Sequence, residues 1–166
     1  ENCLRGVVLT AAEMGAQRRF STITIKENNV LDGDMERLLI DGVTDILTRL
    51  PSLPPAVLVY TSCIHHFLGC DLTLCYRELR SRFPGVDFTD CYMNPILRKS
   101  GLTPDQLMRK QLYSLLKPRA QDAGVNILGN CFETDETSEL VKIIRLAKRP
   151  LRDITQCRTY EDYQQM

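Results

Sequence analysis

The chain has no tryptophan, only two histidines and no surplus of charge of either sign. Each scarcity excludes something. Lys and Arg total 21, as do Asp and Glu, so there is no basic field to draw in DNA or RNA, and nucleic acid is not an expected partner. No apolar run reaches the roughly 18–20 residues needed to cross a bilayer, so no membrane is expected either. Residues Glu1 to Arg5 do not make a signal peptide, and they are no translation start, which reads as a piece of a longer subunit. There is no Cys-x-x-Cys pair, which removes the zinc ribbon and the thioredoxin-type site. Any metal site must be assembled from distant loops.

What is present is an ordinary globular composition, 43% apolar and 25% charged over 166 residues. That suffices for a single domain spanning 1–166 with a sizeable core. Seven cysteines is a high and odd count. Without an export signal, this reads as a cytoplasmic chain whose thiols stay reduced or bind metal.

Strand-like and helix-like segments alternate. Gly6–Thr10 is a short apolar run that reads as a strand, and Phe20–Ile25 reads as a loop or edge strand. Turn residues from Asn28 to Asp34 lead into a helix over Met35–Leu50. Its apolar residues Leu38, Leu39, Val43, Ile46, Leu47 and Leu50 recur at helical spacing, and Pro51 ends it. Ala56–Thr61 is a continuous apolar strand of the kind buried on both faces of a parallel sheet. A helix over Phe67–Arg82 follows, then a strand over Gly85–Thr89. Thr103-Pro104-Asp105-Gln106 is a capping box opening a helix that ends near Lys117-Pro118. Val125–Leu128 and Leu151–Gln156 read as strands, Thr137–Ala147 as a helix and Thr159 as a helix start. This alternation predicts an α/β fold, a three-layer α/β/α domain with an open, mostly parallel, Rossmann-like sheet.

Four of the seven cysteines fall just after predicted strands: Cys63, Cys91, Cys131 and Cys157. All such loops leave a parallel sheet at its carboxyl edge, where open α/β sheets bind ligands. A small apolar thiol also suits a tight turn, so each by itself reads more simply as packing. Cys70 and Cys75, inside the predicted helix, read as packing thiols. His65 and His66 share the Cys63 loop. Imidazole and thiolate both suit iron or zinc, but adjacent histidines do not readily point at one ion. A supporting or helix-capping role is the simpler reading.

Val57 to Leu72, an apolar strand followed by Thr61-Ser62-Cys63, five residues, then Gly69-Cys70-Asp71-Leu72, resembles the strand, cysteine loop and helix of nitrogenase component 1-type oxidoreductase subunits. Lys26–Asp34 resembles the glycine turn before that family's first long helix. Val125–Gly129 with Asp135, Glu139 and Leu140, and then Ile154–Tyr163, resemble two later segments in the same order. The likeness spans nearly the whole chain. Cys70 stands where the family has the first Asp of Gly-Asp-Asp, and Asp32 and Asp34 replace an aromatic residue and a Gly of the turn. These departures resemble a divergent paralogue rather than a true nitrogenase subunit.

The resemblance implies an iron–sulfur cluster, 4Fe-4S or larger, held at a subunit interface with Cys3 and Cys63 as ligands and Gly69 beside it. His65, His66 and Cys91 would stand behind them. A third family cysteine would lie upstream of residue 1. The resemblance also implies a paralogous or identical partner subunit, and electrons delivered by an ATP-dependent iron–sulfur reductase. An isolated piece of this size is expected to be inactive and free of cluster. Two other readings stay open: a non-catalytic scaffold for building a metallocofactor, and a ligand-binding domain without iron.

Overall fold

A computed structural model describes the backbone of residues 2–92, 101–130 and 132–166, and the side chains of all of these except 2–4, 92 and 104–105. The chain divides into two compact units, Glu1–Gln111 and Leu112–Met166.

The first unit opens with α1 (Asn2–Glu13). The strand expected at Gly6–Thr10 lies wholly inside this helix. Its apolar run is too short to separate strand from helix by periodicity, and Ala11, Ala12 and Glu13 are strong helix formers that favour the helix. Gly15, at φ 70°, ends it: the Ala16 N–H donates to the Ala11 carbonyl (2.7 Å) and the Gly15 N–H to that of Ala12 (3.0 Å), a Schellman stop. Residues 20–26 form no strand. Instead Ile23 lies across a helix at Gly42, where an added Cβ would stand 2.7 Å from its Cδ1. That glycine is there for close approach.

After α2 (Glu27–Asp32), the left-handed Gly33 turns the chain into α3 (Met35–Arg49). Met35, Leu39, Val43 and Leu47 recur every four residues and are buried with Ile40, whereas Leu50 is exposed. β1 (Ala56–Thr61) leads through α4 (Cys63–Phe67) and α5 (Leu72–Arg82) to β2 (Asp87–Tyr92), which pairs parallel to β1 with Val59 opposite Asp90 and Tyr60 opposite Cys91. The single helix expected over Phe67–Arg82 is thus two, broken at Gly69. The core packs Leu39, Val43 and Leu47 of α3 and Cys75, Tyr76 and Leu79 of α5 against Val57, Val59 and Phe88 of the strands. α6 (Pro104–Tyr113) crosses the boundary between the units and stops short of the expected Lys117.

In the second unit, β3 (Val125–Ile127) pairs parallel to β4 (Leu151–Asp153) through α7 (Glu139–Leu146). A 3₁₀ turn, Ile154–Gln156, replaces the rest of the expected strand because the Asp153 carboxylate accepts the Thr155 N–H (2.9 Å) and curls the backbone. α8 (Tyr160–Gln164) starts at Thr159, whose hydroxyl accepts the Asp162 N–H (3.1 Å).

The α/β class and the parallel pairing hold. The single open three-layer sheet does not appear among the described residues, which form two separate two-stranded parallel sheets. Among the described residues no helix is long and apolar enough to cross a membrane.

Candidate functional site

The carboxyl edge of β1 and β2 gathers the residues singled out in the sequence. Thr61 and Ser62 are both buried there, and Cys63 is the first residue of α4, half-buried with a free thiol. α4 is only five residues long.

His65 is buried. Its Nδ1 accepts the Ser62 backbone N–H at 3.2 Å, so the ring closes the start of α4 and that nitrogen is unavailable to a metal. His66 is exposed, with its ring centroid 6.1 Å from that of Phe67. The two histidines therefore divide between capping and surface, as adjacent positions on one helical turn require.

Gly69 sits at φ 67°. The Cys70 N–H donates to the His65 carbonyl (2.9 Å) and the Gly69 N–H to that of His66 (3.0 Å), a second Schellman stop. Among the described residues nothing lies within 4 Å of where its Cβ would be. Gly69 is needed for left-handed backbone, not for the close approach of another segment. Asp71 then caps α5 by accepting the Leu74 N–H (2.9 Å), and the Asp71 N–H donates to Glu36 Oε1 (2.7 Å), which ties the turn to α3.

Cys91 is not in a loop. The strand runs on to Tyr92, so Cys91 lies within β2, fully buried beside Tyr60. Burial, and then the neighbouring Asp90, push its thiol up to about 12. Burial, and then Cys91, push the Tyr60 hydroxyl up to about 12 as well. Such a thiol stays protonated and behaves as an apolar packing group.

Three residues escaped the sequence reading or were weighed only lightly. Thr61 Oγ1, Tyr76 Oη and Asp90 Oδ1 are buried without a partner in hydrogen-bonding geometry. All three lie on the side of the strand pair that faces α5. Burial pushes the Asp90 carboxyl up, an effect the nearby Tyr76 and Thr61 hydroxyls only partly offset. Tyr76 is raised too, first by burial and then by Asp90. Tyr76 drew no notice in the sequence, and only the packing of α5 on the strands brings it to Asp90.

In the second unit the carboxylate at the strand end is fully engaged, although Asn130 Oδ1 beside it is buried without a partner. Asp153 is buried and accepts Asn130 Nδ2 (2.7 Å), the Thr155 N–H (2.9 Å) and hydroxyl (2.6 Å), the Thr134 N–H (3.3 Å) and the Thr134 hydroxyl. Burial alone would raise its carboxyl, but these hydrogen bonds outweigh it and hold the group well below the usual carboxylate range. Cys157 is half-buried near it, its Sγ 3.6 Å from the Asp153 carbonyl oxygen.

The structure therefore brings Cys63, His65, Asp90 and Cys91 to one edge but gives them separate jobs. Cys3 lies in α1 with its side chain outside the described residues, as is Cys131 entirely. Among the described residues, no three His, Cys, Asp or Glu side chains are grouped to hold a metal ion. Compared with protein-family models, with curated proteins and with solved structures, the chain matches none.

Proposed function

We propose that this chain is part of a nitrogenase component 1-type oxidoreductase subunit in which Cys63 is one ligand of an iron–sulfur cluster completed by residues from elsewhere. The observation that carries the reading is local. A parallel strand, a thiol just past its carboxyl end and then a capped helix, α5, follow one another in the order of the resemblance, with α4 and the left-handed Gly69 between them. The finer fold expectation, an open three-layer domain of that family, belongs to this proposal.

The fit to a cluster is partial. In this reading Cys63 is the one ligand drawn from the described residues, since His65 Nδ1 is engaged and Cys91 is buried beside Tyr60. Cys3 and a paralogous or identical partner subunit would supply the rest. Thiolates hold such clusters because soft sulfur suits iron, and the bound group would pass single electrons received from an ATP-dependent iron–sulfur reductase. This chain's own contribution is positional: His65 and Ser62 fix the start of α4, and Gly69 fixes its end. A cytoplasmic setting accords with these partners.

The test is anaerobic reconstitution of the full-length subunit, with its partner, using iron and sulfide. Visible absorption and a paramagnetic signal are expected, with loss of at least half the iron in Cys63→Ala. Unchanged iron and signal in that variant would remove Cys63 from the site.

A second reading, a ligand-binding domain without iron, is favoured by the Thr61, Tyr76 and Asp90 oxygens left without partners. Unpaired buried oxygens suit a small polar ligand more directly than they suit a sulfur cluster. Retention of small-molecule binding in a Cys63→Ala protein without iron would select it over the first.

A further inference from the structure

Between α1 and α2 the chain makes a short 3₁₀ turn, Gln17–Arg19, and then a stretch, 20–26, that belongs to no helix or strand. This connection carries Arg18-Arg19-Phe20-Ser21. Ser21 is the one serine or threonine of the chain with arginine at both the third and the second position before it. Arg18, Arg19 and Ser21 are all exposed. Among the described residues, no hydrogen bond or ion pair engages the two guanidiniums or the Ser21 hydroxyl. Exposed arginines are ordinary, but the backbone beside these is not. Phe20 is extended (φ −106°, ψ 137°), and residues 21–25 make no backbone hydrogen bond among the described residues. Two side chains anchor the stretch: the Phe20 ring stacks on that of Tyr60 (centroids 6.4 Å apart, planes at 27°), and Ile23 lies over Gly42. Ser21 and Thr22 are displayed between those anchors.

We propose that Ser21 is a phosphorylation site for a serine kinase that reads arginines two and three residues before its target. The inference does not rest on the function proposed for Cys63. A stretch with free backbone groups suits a kinase cleft, and carboxylates lining that cleft pair with guanidiniums at the two positions. Only the three-residue turn must open for this. It has no side-chain cap and no buried residue, so it belongs to the least stable parts of the fold. The Ser21 Oγ attacks the γ-phosphorus of a nucleoside triphosphate held by the kinase. The bond from that phosphorus to the β–γ bridging oxygen breaks, the nucleoside diphosphate leaves, and the serine proton passes to the kinase's aspartate base.

The product brings a charge of about −1.5 to −2 at pH 7 next to two unpaired guanidiniums. Charge-assisted hydrogen bonds from Arg18 and Arg19 then draw the turn onto the phosphate. Phe20 lies between Arg19 and Ser21, so that contraction acts on its stacking against Tyr60. Tyr60 is the last residue but one of β1. The modification is thereby felt at the carboxyl end of that strand.

The experiment incubates the full, folded chain with ATP and the catalytic subunit of a cyclic-AMP-dependent protein kinase, then maps the tryptic peptides. Expected is one phosphoryl group on the peptide that contains 20–26, placed on Ser21 by fragmentation, and none there in Ser21→Ala. Replacing Arg18 and Arg19 together by Ala lowers kcat/KM at least about tenfold, whereas Lys142→Ala leaves it unchanged. All four of these residues are exposed, so the variants test recognition rather than folding. A synthetic peptide of residues 14–26 is modified within about fivefold of the rate of the folded chain, as expected of a segment that opens easily. A modified peptide beside an unmodified folded chain overturns the proposal. So does phosphate on Thr22 or Thr24 instead of Ser21, or an unchanged kcat/KM in the double arginine variant.

Discussion

Asp90 and Asp153 each lie on the second strand of a parallel pair, Asp90 two residues before the end of β2 and Asp153 at the end of β4, and they live in opposite environments. Asp153 collects hydrogen bonds from Asn130, Thr134 and Thr155, and its carboxyl is held low. Asp90 is half-buried against α5 with one oxygen unpaired, and its carboxyl is pushed up. Both stand on a second parallel strand, and the neighbours decide the chemistry. Asp153 is a structural hub because its hydrogen bonds are complete. Asp90 retains unmet bonding capacity, the property expected of a group that waits for something else.

The comparison breaks most decisively at Asp153. Asp153→Ala strands several buried donors and should cost about 3 kcal/mol or more of stability, measured by urea unfolding followed by far-ultraviolet circular dichroism. A loss below about 1 kcal/mol would show that the hub is not structural.

The two units also end helices alike, with a left-handed residue after α4 and after α7. In one it is Gly69, and in the other Lys148 at φ 52°, where the Arg149 N–H donates to the Ile144 carbonyl (3.1 Å). Only glycine adopts this backbone without a steric penalty. Gly69→Ala should therefore cost about 1–2 kcal/mol, and Lys148→Gly should gain up to about 1 kcal/mol, by the same denaturation measurement. Equal and neutral effects would mean that neither turn is strained.

The two carboxylates also oppose each other in pH. Asp153, depressed in the folded state, contributes stability that is complete above the unfolded carboxylate range near pH 4 and is lost only as pH falls below it. Asp90, raised in the folded state, works the other way, so its contribution grows as pH falls from neutrality toward about 4 and is weakest at neutral pH. Asp90→Asn should therefore gain stability at pH 7 and abolish that part of the pH slope. A variant with the wild-type slope would assign the slope to other groups. The smallest effect falls on Tyr76→Phe, which deletes a hydroxyl near Asp90 but outside hydrogen-bonding geometry and should change stability by less than about 0.5 kcal/mol. A loss of 2 kcal/mol would mean that the hydroxyl is bonded after all.

Legibility followed the range of the interactions. The Ala56–Thr61 strand was readable to the residue because an unbroken β-rich run between Pro55 and Ser62 has no helical alternative. The α8 start at Thr159 was readable because capping chemistry is local. Gly6–Thr10 was misread because its fate depended on flanking helix formers and on the burial of Ala11. The break at Gly69 was passed over because an isolated glycine inside an apolar pattern does not declare its φ. At the candidate site, Cys63 and His65 were visible from their loop, but their separation of roles was not. The orphaned Thr61, Tyr76 and Asp90 oxygens carried no sequence signal, since each residue is ordinary until register places it.

The sequence by itself determined the alternation of helices and strands, the parallel pairing, and the cysteine loop at a strand end, because periodicity, caps and turn residues act over a few positions. Tertiary structure alone decided which thiols are buried, which histidine is engaged, and why two strand aspartates are shifted in opposite directions. Those outcomes depend on desolvation and hydrogen-bond partners drawn from distant segments, and such partners exist only once the chain has folded.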